Sequence, residues 1–159
     1  MIKKLLLFIF ISGLAHADTV VKYGVELPKH GEGYGATKAL FLVYQDKWFG
    51  PFIYQYEGGT WFDNAGEGRK SSGMINASFG VEVNAGYVFS QALAGPAIIS
   101  SPDTVLGGPF QFDSDIAIGL KDPKNGNTIG INYTHISSGG LELPNKGRDF
   151  ILFRVGIPF

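Results

Sequence analysis

The sequence predicts an all-β protein, an eight-stranded antiparallel β-barrel of the outer membrane. Three observations carry that prediction: a long run of strict two-residue alternation from Ile75 to Tyr87, an N-terminal export signal, and a final amphipathic segment that ends in Phe159. The chain of 159 residues suits one domain. Its 23 Gly, 13 Phe and 7 Tyr fit glycine-kinked strands with aromatic girdles better than helices, which glycine destabilises.

Residues 1–17 form the predicted signal peptide, in which Lys3 and Lys4 precede an apolar run from Leu5 to Leu14 and then Ala15-His16-Ala17. Cleavage is expected after Ala17, leaving residues 18–159 as a single barrel domain. The apolar run is too short to span a bilayer, and no later stretch holds about 18 uninterrupted apolar residues.

The first strand is read at Thr19, Val21, Tyr23 and Val25, set against Lys22, Gly24 and Glu26. A second is placed at about Lys38–Tyr44, where the alternation blurs, and a third at Phe52, Tyr54 and Tyr56 against Gln55 and Glu57. In the fourth, Ile75, Ala77, Phe79, Val81, Val83, Ala85 and Tyr87 oppose Asn76, Ser78, Gly80, Glu82, Asn84 and Gly86. One face is apolar and the other polar, over a length that suits the roughly 9–11 residues of a tilted strand crossing a bilayer. The fifth is placed at about Leu93–Ser100.

In the sixth strand, Phe110, Phe112, Ile116 and Ile118 oppose Gln111, Asp113, Asp115 and Gly119; in the seventh, Ile129, Ile131 and Tyr133 oppose Gly130, Asn132 and Thr134. The eighth carries Ile151, Phe153, Val155, Ile157 and Phe159 on one face, with Arg154 and Gly156 on the other. Its terminal Phe resembles the signal read by the outer-membrane barrel-assembly machinery. Gln45–Trp48, Ser90–Ala92 and Lys121–Gly126 read as short turns, and 28–36, 58–73 and 138–147 as longer loops. In such barrels the short turns face the periplasm and the long loops the outside.

The formal net charge of -1 gives no sign of a nucleic-acid partner, which needs concentrated Lys and Arg. Cysteine is absent, which removes disulfides, a thiolate nucleophile and Cys-based metal sites. Glu82, Asn84, Asp113, Asp115 and Arg154 share the inward parity and are expected to pack as a polar network, because an eight-stranded barrel is just wide enough for its own side chains. Lys29, His30, Arg69, Lys70, Lys146 and Arg148 fall in or beside the outer loops, where cations could meet phosphates or simply solvent. Trp48, Trp61 and Phe62 read as interfacial anchors, with Trp61 and Phe62 open to substrate contact from a loop.

The parity of the seventh strand, continued past Tyr133, puts His135 and Ser137 on the apolar outward face, and Asp149 shares the outward parity of Ile151 and Phe153. Polar groups on a lipid-facing wall destabilise a barrel and invite a functional explanation. A serine, a base and a carboxylate that orients the base form the nucleophilic constellation of ester hydrolysis. Taken alone, a His-x-Ser in a strand is weak evidence for it, and an interfacial histidine among headgroups is the commoner reading.

The segment His135-Ile136-Ser137-Ser138-Gly139-Gly140, followed by Pro144-Asn145-Lys146-Gly147-Arg148-Asp149, resembles the C-terminal signature of the PagL-like lipid A 3-O-deacylases, roughly H-x-S-N-x-G, then P-N, then an acidic residue. The close match covers the last quarter of the chain, with agreement elsewhere in size, export signal and barrel pattern. The resemblance implies His135 as general base, Ser137 as nucleophile, Asp149 as the acid partner, and the Gly140 amide and Asn145 side chain as oxyanion donors. It implies no cofactor or metal, and it names the ester-linked 3-hydroxyacyl chain of lipid A in the outer leaflet as substrate. Ser138 stands where Asn is usual, and Asp149 where Glu is common, with one methylene less reach. Two other functions fit the barrel pattern: a non-catalytic structural or adhesion barrel, and a lipid A acyltransferase with its acyl pocket inside the barrel.

Overall fold

The computed structural model describes residues 17–28, 37–63 and 69–159, so the leader through His16 and the loop residues Lys29 and His30 lie outside the described residues. Eight strands run in chain order: β1 Asp18–Glu26, β2 Lys38–Phe49, β3 Phe52–Phe62, β4 Ser72–Ala85, β5 Val88–Ile99, β6 Phe110–Lys121, β7 Thr128–Ser137 and β8 Arg148–Pro158. Each pairs antiparallel with the next, and β1 pairs with β8 from Asp18↔Pro158 to Glu26↔Phe150, which closes the barrel. Closure satisfies every edge, which a membrane requires because lipid offers no hydrogen bonds.

The two-residue alternation maps directly onto inside and outside. Leu42, Ile75, Ile116, Ile118 and Ile157 are exposed on the outer wall, while Lys22, Gln55, Asp115, Asn132 and Arg154 are buried within. A continuous apolar exterior of this kind would aggregate in water and matches the hydrocarbon of a bilayer.

The connections alternate in length. At one end lie the tight turns after β2, β4 and β6, with Gly50, Gly86 and Gly126 at φ +56°, +64° and +77°. At the other lie four longer loops, the last of them residues 138–147. Trp48 sits at the short-turn end, packed edge-on against Phe49 and Phe79, with Phe52 stacked on Phe79 at 5.7 Å, an interfacial girdle of aromatic rings.

Four boundaries differ from the sequence expectation, the first being that β4 stops at Ala85, short of Tyr87. β2 continues past Tyr44 to Phe49 through a bulge between Lys47 and Phe49, so the connection is the Gly50-Pro51 turn rather than Gln45–Trp48. β5 starts at Val88; Ser90–Ala92 lie inside it, paired with β4 and β6, and the turn is Gly86-Tyr87. β3 runs through Gly58 and Gly59 to Phe62. The glycine pair looks like a turn, but Gly59 answers a close approach, since a Cβ there would lie 2.3 Å from the Leu40 carbonyl oxygen.

The lumen is filled. In its middle, the Lys22 ammonium reaches Glu57 at 2.5 Å and Asp115 at 2.6 Å, and Asp115 also accepts from Gln55, Asn132 and Thr134. Toward the short-turn end, Arg154 bonds Gln91 and lies 5.1 Å over the Phe89 ring, while Glu82 accepts from Asn84 and Gln91. Toward the long-loop end the filling turns apolar, with Phe41, Trp61, Leu106, Ile136, Phe150 and Leu152 in one cluster. Each buried charge has an opposite charge or a hydrogen-bonding amide beside it, the condition under which buried ions are tolerated.

Candidate active site

Strands β7 and β8 are joined by loop 138–147, and their register sets His135 directly opposite Asp149. Cβ atoms of directly opposed residues lie about 4.5–5.5 Å apart, close enough for an imidazole to meet even the short carboxylate of aspartate. His135 Nδ1 lies 2.6 Å from Asp149 Oδ1. With the N–H of Nδ1 donated to the carboxylate, Nε2 is the basic nitrogen on the far side of the ring. Both side chains are on the outer wall, 37% and 18% exposed, so the pair is reachable from the membrane side and not from the lumen.

Ser137 shares that outer face two residues beyond His135, at the end of β7 and opposite Phe112 of β6. The loop that follows is built by Ser138, which is fully buried. Its N–H donates to Asn145 Oδ1 at 2.9 Å and its hydroxyl donates to the Glu142 carbonyl at 2.9 Å. Ser138 therefore closes the loop on itself. Because Asn145 spends its oxygen on Ser138, its amide nitrogen is the end that can donate elsewhere. Gly139 and Gly140 sit at φ +62° and +87°, left-handed conformations that only glycine adopts at little cost. Space is not the constraint at Gly140, where a Cβ would meet nothing within 4 Å.

A residue that sequence reasoning left unassigned also belongs here. The Tyr133 hydroxyl donates to the same Asp149 Oδ1 at 2.6 Å. Its outward parity with His135 was readable, but the partner two positions away on the neighbouring strand was not.

One residue before Asp149, Arg148 points the other way and is fully buried. It bonds Glu26 at 2.8 Å, Asp63 at 2.9 Å and Asp103, and lies 5.5 Å over the Trp61 ring. Asp103 belongs to the β5–β6 loop. Burial pushes its carboxyl up, but the amides of Val105, Lys70 and Leu106 and the Arg148 guanidinium together hold it below the ordinary range. The cations expected in the outer loops thus divide. Arg148 is interior, and Arg69 is largely covered and pairs with Glu26 and Asp63, so neither is offered to a phosphate. Lys70 and Lys146 are exposed. Trp61 is fully buried and donates to the Lys70 carbonyl, because β3 keeps its inward parity through Gly59; Phe62 faces out. Among the described residues no group of three or more His, Asp or Glu side chains gathers as metal ligands.

In class this is an integral outer-membrane β-barrel, with a histidine, a carboxylate and a serine set on its lipid-facing wall near the long-loop rim. The family model for lipid A 3-O-deacylase (PagL) matches residues 32–158, and the chain belongs to that family. The lipid A deacylase PagL of Bordetella bronchiseptica is 36% identical over 67 residues, a match that spans 40% of this chain and 36% of that protein. The fold is similar to the crystal structure of the outer membrane enzyme PagL, with TM-score 0.70 and 22% identity over 89% of this chain and 99% of that one. Neisserial surface protein A is a more distant structural likeness, at TM-score 0.59 and 11% identity over 91% of this chain and 97% of that one.

Proposed function

We propose that the protein is a lipid A 3-O-deacylase, a serine ester hydrolase that removes the ester-linked 3-hydroxyacyl chain at the 3-position of lipid A in the outer leaflet. Family membership supports the substrate class. The observation that carries the chemistry is the 2.6 Å contact of His135 Nδ1 with Asp149 Oδ1 on the outer wall, with Ser137 on the same face. An imidazole oriented by a carboxylate beside a serine is the arrangement that turns a hydroxyl into a nucleophile.

In the proposed reaction Ser137 Oγ attacks the ester carbonyl while His135 Nε2 takes its proton. The tetrahedral oxyanion receives hydrogen bonds from the Gly140 amide and the Asn145 side-chain nitrogen, donors worth about 2.7–4 kcal/mol each in comparable sites. The C–O bond to the sugar then breaks, and His135 returns the proton to the leaving hydroxyl. Water, deprotonated by His135, attacks the acyl-serine and releases the 3-hydroxy fatty acid with Ser137 regenerated. Asp149 keeps Nδ1 as the donor and stabilises the imidazolium formed in each half.

The position near the long-loop rim supports the reading, since such loops face outward and lipopolysaccharide occupies that leaflet. The precursor would lose residues 1–17 on export, and the mature barrel would be inserted by the barrel-assembly machinery. Mass analysis of lipid A from cells expressing the chain tests the proposal. Loss of one 3-hydroxyacyl group, abolished by Ser137→Ala in a heat-modifiable barrel, is the expected result. A gain of acyl mass would point to an acyltransferase, and unchanged lipid A to a structural or adhesion barrel. The side chains buried in the lumen, Phe41, Trp61 and Lys22 among them, argue against the acyltransferase, whose acyl pocket would lie there.

A further inference from the structure

We propose that Tyr133 is a positioning residue for the reaction, acting through Asp149 and resting on the deacylase reading above. The geometry separates two kinds of reach. His135 is directly opposite Asp149 in the β7–β8 register, whereas Tyr133 is opposite Ile151 and meets Asp149 on the diagonal. Diagonal neighbours lie about 7–8 Å apart, a span that a phenol bridges and a shorter side chain does not. Both donors converge on the single atom Oδ1, each at 2.6 Å.

Two consequences follow for a carboxylate on a lipid-facing wall. An aspartate has few bonds along which to turn, but in an apolar setting a carboxylate with one partner still swings about its terminal torsion. A second donor from a rigid ring fixes it where Nδ1 needs it. That second donor also spreads the negative charge, in surroundings where few other groups can solvate it. The phenol has an equal requirement, because a hydroxyl in this position needs an acceptor. The short aspartate is thus held by a neighbour on the facing strand. The titratable groups facing His135 on the outer wall are Tyr133 on its own strand and Asp149 on β8; from β6 come Ser114, Phe112 and Ile116, none of which titrates in the range of the reaction.

The test is steady-state deacylation of purified lipopolysaccharide in detergent micelles by the wild type, Tyr133→Phe and Ser137→Ala, with heat-modifiable migration as the check on folding. For Tyr133→Phe the expected result is a kcat about tenfold lower with KM unchanged, the pattern of an interaction made in the transition state. A raised KM at unchanged kcat, or wild-type kinetics alongside an inactive Ser137→Ala, overturns the role of Tyr133 and leaves the deacylase reading standing. Activity retained by Ser137→Ala overturns both.

Discussion

Arg148 and Asp149 are neighbours along β8 and face opposite sides of the barrel wall: the arginine is sealed among Glu26, Asp63 and Asp103, and the aspartate stands outside against His135. The strand alternation makes one residue the anchor of the other. Ion pairs that tie Arg148 to the end of β1, the end of β3 and the β5–β6 loop fix the backbone from which Asp149 projects.

Replacing Arg148 with Met should therefore be costly. It leaves Asp103 without its guanidinium and takes one cationic partner each from Glu26 and Asp63, which also pair with Arg69. Breaking a buried pair by removing one partner typically costs about 3–5 kcal/mol. The expected outcome is a lower temperature for the heat-modifiable mobility shift and faster cleavage of the outer loops by added protease, with catalysis reduced as a secondary effect.

Asp149→Asn keeps the size of the side chain and removes its charge. On the proposed mechanism the imidazolium loses its stabiliser and the histidine tautomer is no longer enforced, so kcat should fall by about 10⁴-fold. Asp149→Glu retains a carboxylate and should stay within about tenfold of the wild type. Equal activity for Asn and Asp at this position would remove the carboxylate from the mechanism.

Gly140→Ala adds a methyl group where there is space but demands a left-handed backbone at φ +87°. That conformation costs a non-glycine residue about 1–2 kcal/mol. A folded barrel with kcat lowered about tenfold is the expected result, because relief of the strain turns the Gly140 amide away from the position proposed for the oxyanion. A variant with full activity would show that this amide plays no part.

The outer loops should also loosen in acid. The Asp103 carboxyl is held below its ordinary value of 3.8, so the folded state binds its proton less readily than the unfolded chain. Its contribution is complete above the ordinary aspartate range and is lost as pH falls from that range through the lower folded value. Proteolysis of the loops by an acid-active protease should accelerate across that interval. Asp103→Asn should be loosened already at neutral pH and show a flatter dependence.

Much of the barrel could be read from the chain, because a lipid-facing wall writes its parity plainly in β4, β6 and β8. The places that misled have physical causes. In β5, Gly95-Pro96 and the alanines Ala92, Ala94 and Ala97 weaken the contrast between faces, and Ser90–Ala92 read as a turn although they pair on both sides. In β3, Gly58-Gly59 looked like a turn, although Gly59 admits the backbone of β2, and this moved Trp61 into a loop that it does not occupy. His135 and Asp149 were legible as outward residues, and the register that sets them face to face needed only the length of the last loop. Arg148 was not: its partners come from three distant segments, and nothing local distinguishes a sealed arginine from a solvated one. Tyr133 was hidden for a similar reason, since a diagonal contact leaves no spacing along one strand.

Among the described residues, side chains occupy the interior from Arg154 to Trp61, and His135 stands on the outer wall away from it. Whatever amphiphile meets that histidine must drift sideways within the leaflet, so its encounters depend on how many molecules share a patch of membrane and not on how many occupy a volume of liquid. Diluting the substrate with inert detergent or phospholipid at constant bulk amount should slow turnover, whereas adding buffer to the same vesicles should not.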